Sequence, residues 1–239
     1  MIETAETLHP YNHRYEIPEA TKVLIVGTAP PPRFFKRPWS PTDELDFDFY
    51  YGSGANWMWG ILPEALGKTP LAESLSSDDC AKAARELLEE NALWMHDVLE
   101  HVRRKSGHES SALDSHIETP TEKDFAHFGP IFDRVKDLRA IATTSQYTFN
   151  WLIKALQIQG FISGDVPSLK KWEEANSANS KDEDGVIVKH KRPAATFKLP
   201  DGRILNVYIL PSPSSARGMR PKLKVEVYRH VLNTALSAS

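Results

Sequence analysis

The most constraining feature of this chain is a buried-strand run, Val23-Leu24-Ile25-Val26, that ends in a tight Gly-Thr-Ala-Pro-Pro turn. A strand of this kind is a rigid mount, and Gly27 lets backbone approach a ligand closely. The following loop, 28–48, carries many prolines and acidic residues together with aromatics and arginines. An Asn-led helix comes next, from Asn56 to Leu66, with apolar residues at 58, 61, 62 and 65, the spacing of one helix face. Residues 22–62 therefore predict a binding site for something planar, built at the end of a sheet strand.

The rest of the chain repeats this plan. Residues 1–20 read as an extended polar lead-in. Ser76-Ser77-Asp78-Asp79 resembles a helix cap ahead of CAKAARELLEENALW. Leu93 to Val102 suits a short strand or a helix. Residues 105–120 form a polar loop, and Thr121 with Asp124 approaches a capping box. The helix it opens would run through FAHFGPIFDRV, with a break at Gly129-Pro130. Leu138 to Thr144 predicts a second strand ending in Ser145, with a helix from Tyr147 to about Gln157. Residues 164–193 are so charged that they predict a solvated insertion or mobile loop. ATFKLPDGRILNVYILP predicts a hairpin through its Asp-Gly turn. Its second arm, Ile204 to Leu210, stops at Pro-Ser-Pro-Ser-Ser-Ala-Arg, and Pro221 opens a last helix.

Alternating strands and helices predict a single α/β domain over residues 1–239, a three-layer α/β/α sandwich with a mostly parallel central sheet. Ligands of such folds sit beyond the carboxyl ends of the strands. Three strand ends, Gly27–Pro31, Thr144–Gln146 and Pro211–Arg217, would converge there.

Composition narrows the function. Hydrophobic content of 41% and charged content of 26% are ordinary globular values. No apolar run reaches the ~18–20 residues needed to span a bilayer, and the N-terminus lacks a signal-peptide layout. A cytoplasmic, monomeric protein without membrane contact is the expectation. The single cysteine, Cys80, excludes an internal disulfide and a four-cysteine metal site. The nine histidines show no metal spacing, so neither metal nor cofactor is expected. A net charge of −3 argues against indiscriminate coating of nucleic acid. Local clusters, Arg33, Lys36 and Arg37, and Arg217, Arg220, Lys222 and Lys224, still permit an enzyme that visits DNA.

Several motifs, in this order, resemble those of the uracil-DNA glycosylase superfamily. They are G-T-x-P after the first strand, Y-Y-x4-N-x2-W at 50–59, and L-P-S-P-S at 210–214. The run LWMHDVLEHVRRKSGHESSALDSHIETPTEKDFAHF is similar to the hypoxanthine (deoxyinosine) DNA glycosylase branch and to the mismatch-specific branch. The resemblance covers about 22–62, 93–160 and 204–232. It implies a base flipped from the stack into a pocket and hydrolysis of its N-glycosidic bond, through a transition state with oxocarbenium character and a departing base anion.

Many members carry Asp or Asn at the third residue of the first motif, where it positions the attacking water; this chain has Ala29. The resemblance shifts the catalytic role to Asn56. It implies Tyr51 as the ring stacked on the base, with Tyr50 as its near alternative. Gly27, Thr28, Ala29 and Pro30 would offer backbone to the base edge. Ser145 matches a base-reading position, and Ser212 and Ser214 lie where relatives touch sugar, base or phosphate. Ser215, Ala216 and Arg217 occupy the loop that contacts or enters DNA. The implied function is a monofunctional DNA glycosylase, with no lysine placed by motif for a Schiff base. The alternative is a non-catalytic or very slow protein of the same fold that binds a modified base or nucleotide, and a bulky hypermodified base such as a modified cytosine in foreign DNA is an alternative substrate.

Structural roles compete at several positions. Trp57 and Trp59 suit the core, and Asn56 suits a helix cap. Asp97 and Asp114 suit caps or salt-bridge partners. Lys222, Lys224 and Arg229 suit a solvated helix face.

Overall fold

A computed structural model describes residues 8–71, 75–162, 190, 192–214 and 219–237. Five strands form one sheet in the order β2-β1-β3-β5-β4: β1 (Val23–Gly27), β2 (Leu93–Asp97), β3 (Ala140–Thr143), β4 (Ala195–Lys198) and β5 (Ile204–Ile209). The first four in that order are parallel, and β4 pairs antiparallel with β5 through the turn that holds Gly202 at φ 92°. Every residue of β1, β2 and β3 is buried. That burial requires cover on both faces of the sheet.

The helices supply the cover. They are α1 (Met58–Ala65), α2 (Ser77–Glu90), α3 (Gly129–Arg134), α4 (Gln146–Ile158) and α5 (Pro221–Ser237). The strand order reverses beside β1, so right-handed crossovers put α1 and α2 on one face and α3 and α4 on the other. Helix α5 returns to pack on α1 and β1, on the first of these faces. The result is the expected three-layer α/β/α arrangement. Because four parallel strands run the same way, their carboxyl ends lie along one edge.

One open choice is resolved and two local expectations need revision. Of strand or helix, Leu93–Asp97 is the strand, since its apolar and aromatic side chains are sandwiched between layers. The capping box of Thr121 and Asp124 is present, but it closes only a 3-10 turn, Glu122–Asp124. Helix α3 starts at Gly129 with Pro130 in its first turn, so the proline opens this helix instead of breaking a longer one. The lead-in is also more than a polar arm: within the described part, His9 and Tyr11 are 3% and 0% exposed, packed behind the end of β2. The charged segment 164–193 lies largely outside the described residues.

Candidate functional site

At the carboxyl edge of the sheet the chain leaves a cleft of about 250 Å3. Its walls come from four strand ends and two loops. The turn after β1 contributes Thr28 to Pro31, β2 ends in Asp97, and the end of β3 gives Thr144 and Ser145. The segment after β5 gives Ser212 to Ser214, the loop before α1 gives Tyr51 to Ser53, Ala55 and Asn56, and the 105–117 loop gives Ala112 to Asp114. Phe34, Phe49 and Tyr51 make part of the lining aromatic.

The geometry explains the glycine that ends β1. A Cβ on Gly27 would lie 2.2 Å from Asp97 Oδ1 and 2.3 Å from the Tyr51 hydroxyl. The missing side chain is the space in which a carboxylate and a phenol come together. The Tyr51 hydroxyl bonds Thr144 Oγ1 at 2.7 Å, and its backbone holds φ 55°. That left-handed conformation is unusual for an aromatic residue and needs surrounding contacts to hold it. Burial pushes the phenol well above its ordinary pKa, and the Asp97 charge adds to the effect. Tyr50, its neighbour, does not reach the cleft. It is 1% exposed, stacks on His9 and donates its hydroxyl to Asn12 Oδ1 at 3.1 Å.

Asn56 lines the cleft, and its Oδ1 accepts from the Met58 amide at 2.9 Å, so half of its amide group is already committed to opening α1. The same stretch fastens two walls together. Asn56 and Ser214 form an antiparallel bridge, and the Trp57 amide donates to the Pro213 carbonyl at 3.0 Å. Trp59 is buried and donates its indole N–H to the Tyr50 carbonyl.

Ser145 also lines the cleft, but its hydroxyl is the N-cap of α4 and accepts the Thr148 amide at 3.0 Å. Ser212 is exposed at the rim. Ser215, Ala216 and Arg217 lie outside the described residues. Lys224 is 1% exposed and not on a solvated face: its ammonium donates to the Ser214 carbonyl at 2.8 Å and sits 5.0 Å from the centroid of the Trp57 ring. Burial lowers its pKa. The last helix thus holds the 211–214 wall from behind, helped by the Tyr228 hydroxyl on the Pro211 carbonyl.

Asp97, expected as a cap or salt-bridge partner, does pair with a histidine, but it and Asp114 both also face the cleft. Asp97 Oδ2 is 2.8 Å from His9 Nε2, a pair shielded from solvent. Asp114 Oδ2 accepts from Thr28 Oγ1 at 3.1 Å and from Ser145 Oγ at 3.5 Å. Thr148 Oγ1 closes the ring, 2.7 Å from Thr28 Oγ1 and 2.8 Å from Ser145 Oγ. Burial raises the Asp114 carboxyl from 3.8 to about 6, against the pull of the Thr28 hydrogen bond and the Arg104 cation. The loop presenting it is firmly anchored. Arg104 bridges Ile117, Arg104 donates to the Leu113 carbonyl, and the Lys105 ammonium donates to the Ser115 carbonyl. Leu113, next to Asp114 at the mouth, is 55% exposed. Among the described residues no group of three or more His, Cys, Asp or Glu side chains is placed to hold a metal, and no helix is long and apolar enough to cross a membrane.

No protein-family model matches the sequence, and no curated protein matches it. Among solved structures, the chain is similar to the solution NMR structure of a "putative Uracil DNA glycosylase" from Methanosarcina acetivorans. The identity is 18% and the TM-score 0.49, over 90% of this chain and 93% of the other.

Proposed function

We propose that the cleft is the base pocket of a monofunctional DNA glycosylase, which turns a deaminated or modified base out of the stack and hydrolyses its N-glycosidic bond to leave an abasic site. The observation that carries this reading is one small cleft combining an aromatic wall, strand-end hydroxyls and two carboxylates. A planar base needs flat faces, polar partners for its edge, and a group that handles a water proton. A simple recognition pocket has no need of the last.

In this reading the Tyr51 ring stacks on the flipped base, and the Thr28–Pro30 backbone meets its edge. Asn56 Oδ1 is occupied by α1, so its Nδ2 group is the part left to orient water or base. Ser212 and Ser214 meet the sugar and phosphate, and Arg217 with its neighbours follows the DNA backbone. Exposed Leu113 at the mouth is an apolar side chain suited to filling the vacated stack. The ammonium of Lys224 is tied to Ser214, so no Schiff-base step is assigned. The branch expectation points to hypoxanthine or uracil as the base.

Duplex oligonucleotides carrying uracil, deoxyinosine, xanthine or a bulky modified cytosine, treated with hot alkali after incubation, test the reading. Alkali-dependent breaks at one of these sites are expected. Tight binding with no break at any of them would instead establish a non-catalytic base-binding protein.

A further inference from the structure

We infer that Asp114 is the general base of the proposed reaction, the group that takes the proton from the attacking water. This assignment rests on the glycosylase reading of the cleft and adds the residue that reading still lacks. Hydrolysis delivers a water oxygen to C1′ and must send its proton somewhere. The Asn56 amide cannot accept a proton at ordinary pH, Ala29 offers nothing, and the serine hydroxyls are too weakly basic. The Tyr51 phenol is held protonated by burial. That leaves the two carboxylates.

Their surroundings separate them. Asp97 is 4% exposed, with Oδ2 paired to His9 and Oδ1 beside the space that a Gly27 Cβ would fill, where the Tyr51 hydroxyl also lies. Asp114 is half-buried at the cleft wall, and its Oδ2 accepts from Thr28 and Ser145. Its Oδ1 has no hydrogen-bond partner among the described residues, although the side chain lines the cleft. One oxygen is thus held by two hydroxyls and the other is free for water, which fixes the carboxylate plane without blocking its basic lone pair. Oδ2 is bonded to the hydroxyl of the residue just before Ala29, so the carboxylate lies at the first-strand turn although it is carried by another loop.

Burial holds the carboxyl near 6, so it is ionised at neutral pH yet more basic than an ordinary aspartate. The groups facing it have defined effects. Asp97 raises its proton affinity, while Arg104, Thr28 and Ser145 lower it. In the step, the water oxygen bonds C1′ as Asp114 Oδ1 takes one of its protons. The C1′–N bond breaks with its electron pair going to the base, and the proton passes from Asp114 through solvent to the departing base nitrogen.

Single-turnover excision on the best substrate of the oligonucleotide panel, from pH 5 to 8.5, tests the assignment. The wild-type rate is expected to rise with pH through about 6 and then level. Asp114→Asn is expected to lose roughly 10²–10⁴-fold in rate and to lose the rising limb, with duplex affinity unchanged and a native near-ultraviolet circular dichroism spectrum. Thr28→Val removes a hydrogen bond that favours the ionised carboxylate, so its limb moves to higher pH. Equal excision by wild type and Asp114→Asn overturns this assignment alone. Should Asp114→Asn fail to fold, a Thr28→Val limb that does not move overturns it. Absence of product from the wild type overturns the glycosylase reading and takes this assignment with it.

Discussion

Replacing Asp114 by Asn should make the protein more stable at neutral pH, and the gain should depend on pH in one direction only. A carboxyl whose pKa is higher in the folded than in the unfolded chain adds stability below its unfolded value and loses it as pH rises through the folded value. For Asp114 these values are 3.8 and about 6. At about 1.4 kcal/mol for each tenfold change in proton affinity, the full cost of ionised Asp114 is roughly 3 kcal/mol. The side chain remains partly open to cleft water, which screens it, so about 1–2 kcal/mol is the realistic figure. Asn keeps an acceptor for Thr28 and carries no charge. The Asn variant should therefore melt roughly 2–8 °C above wild type at pH 7.5. The advantage should shrink between pH 6 and about 4 and vanish below that. Thermal unfolding of both proteins across this range gives the measurement. The difference between them cancels contributions common to both, including that of buried His96, whose own pKa is depressed to about 3. A constant offset at every pH, or a wild type that is the more stable at pH 7.5, would refute the argument that Asp114 is held in a costly ionised state. A stability gain coupled to lost excision would mark the residue as retained for chemistry.

Gly27→Ala should abolish excision and cost roughly 1–3 kcal/mol in denaturant unfolding, because its Cβ would meet both Asp97 Oδ1 and the Tyr51 hydroxyl. Leu113→Ala should lower excision from duplex DNA about tenfold while leaving excision from single strands nearly unchanged, since only the duplex has a stack to refill. Equal losses on both substrates would exclude the wedge role. Lys224→Met preserves the buried stem but leaves the Ser214 carbonyl without its ammonium donor, for a cost of roughly 1–3 kcal/mol in urea unfolding.

The scaffold was legible because its signals are local. The apolar run 23–26, the strand–helix unit around Ser145 and the Asp-Gly hairpin each act within a few residues, and each appears where the spacing predicted, although the Ser145 hydroxyl proved to be the helix cap. The Lys224 role was also available. Residues 224, 228, 231 and 235 are all buried and follow one helix face, so a lysine in that stripe must either pair or reach out. The choice between Tyr50 and Tyr51 was not legible, because Tyr51 takes a left-handed backbone and strand alternation gives no guide to its direction. Asp114 was hidden for a different reason. It lies in a polar loop without periodicity, and its partner Thr28 is 86 positions away along the chain. Nothing local distinguishes a carboxylate aimed into a cleft from one that caps a turn.

The bridge between Arg104 and Ile117 has a consequence for how this protein can change. The strand-end turn carries an inert alanine, while the carboxylate rides on a loop closed at its own base by that bridge. On the proposed assignment of Asp114, the sheet scaffold and the general base are therefore carried on separate pieces of chain. The 105–116 loop can vary without disturbing a single strand pairing, but it also supplies the Ala112–Asp114 wall of the cleft, so such changes reshape the mouth together with the carboxylate. Exchanging that one loop between homologous proteins should move catalytic behaviour as a module.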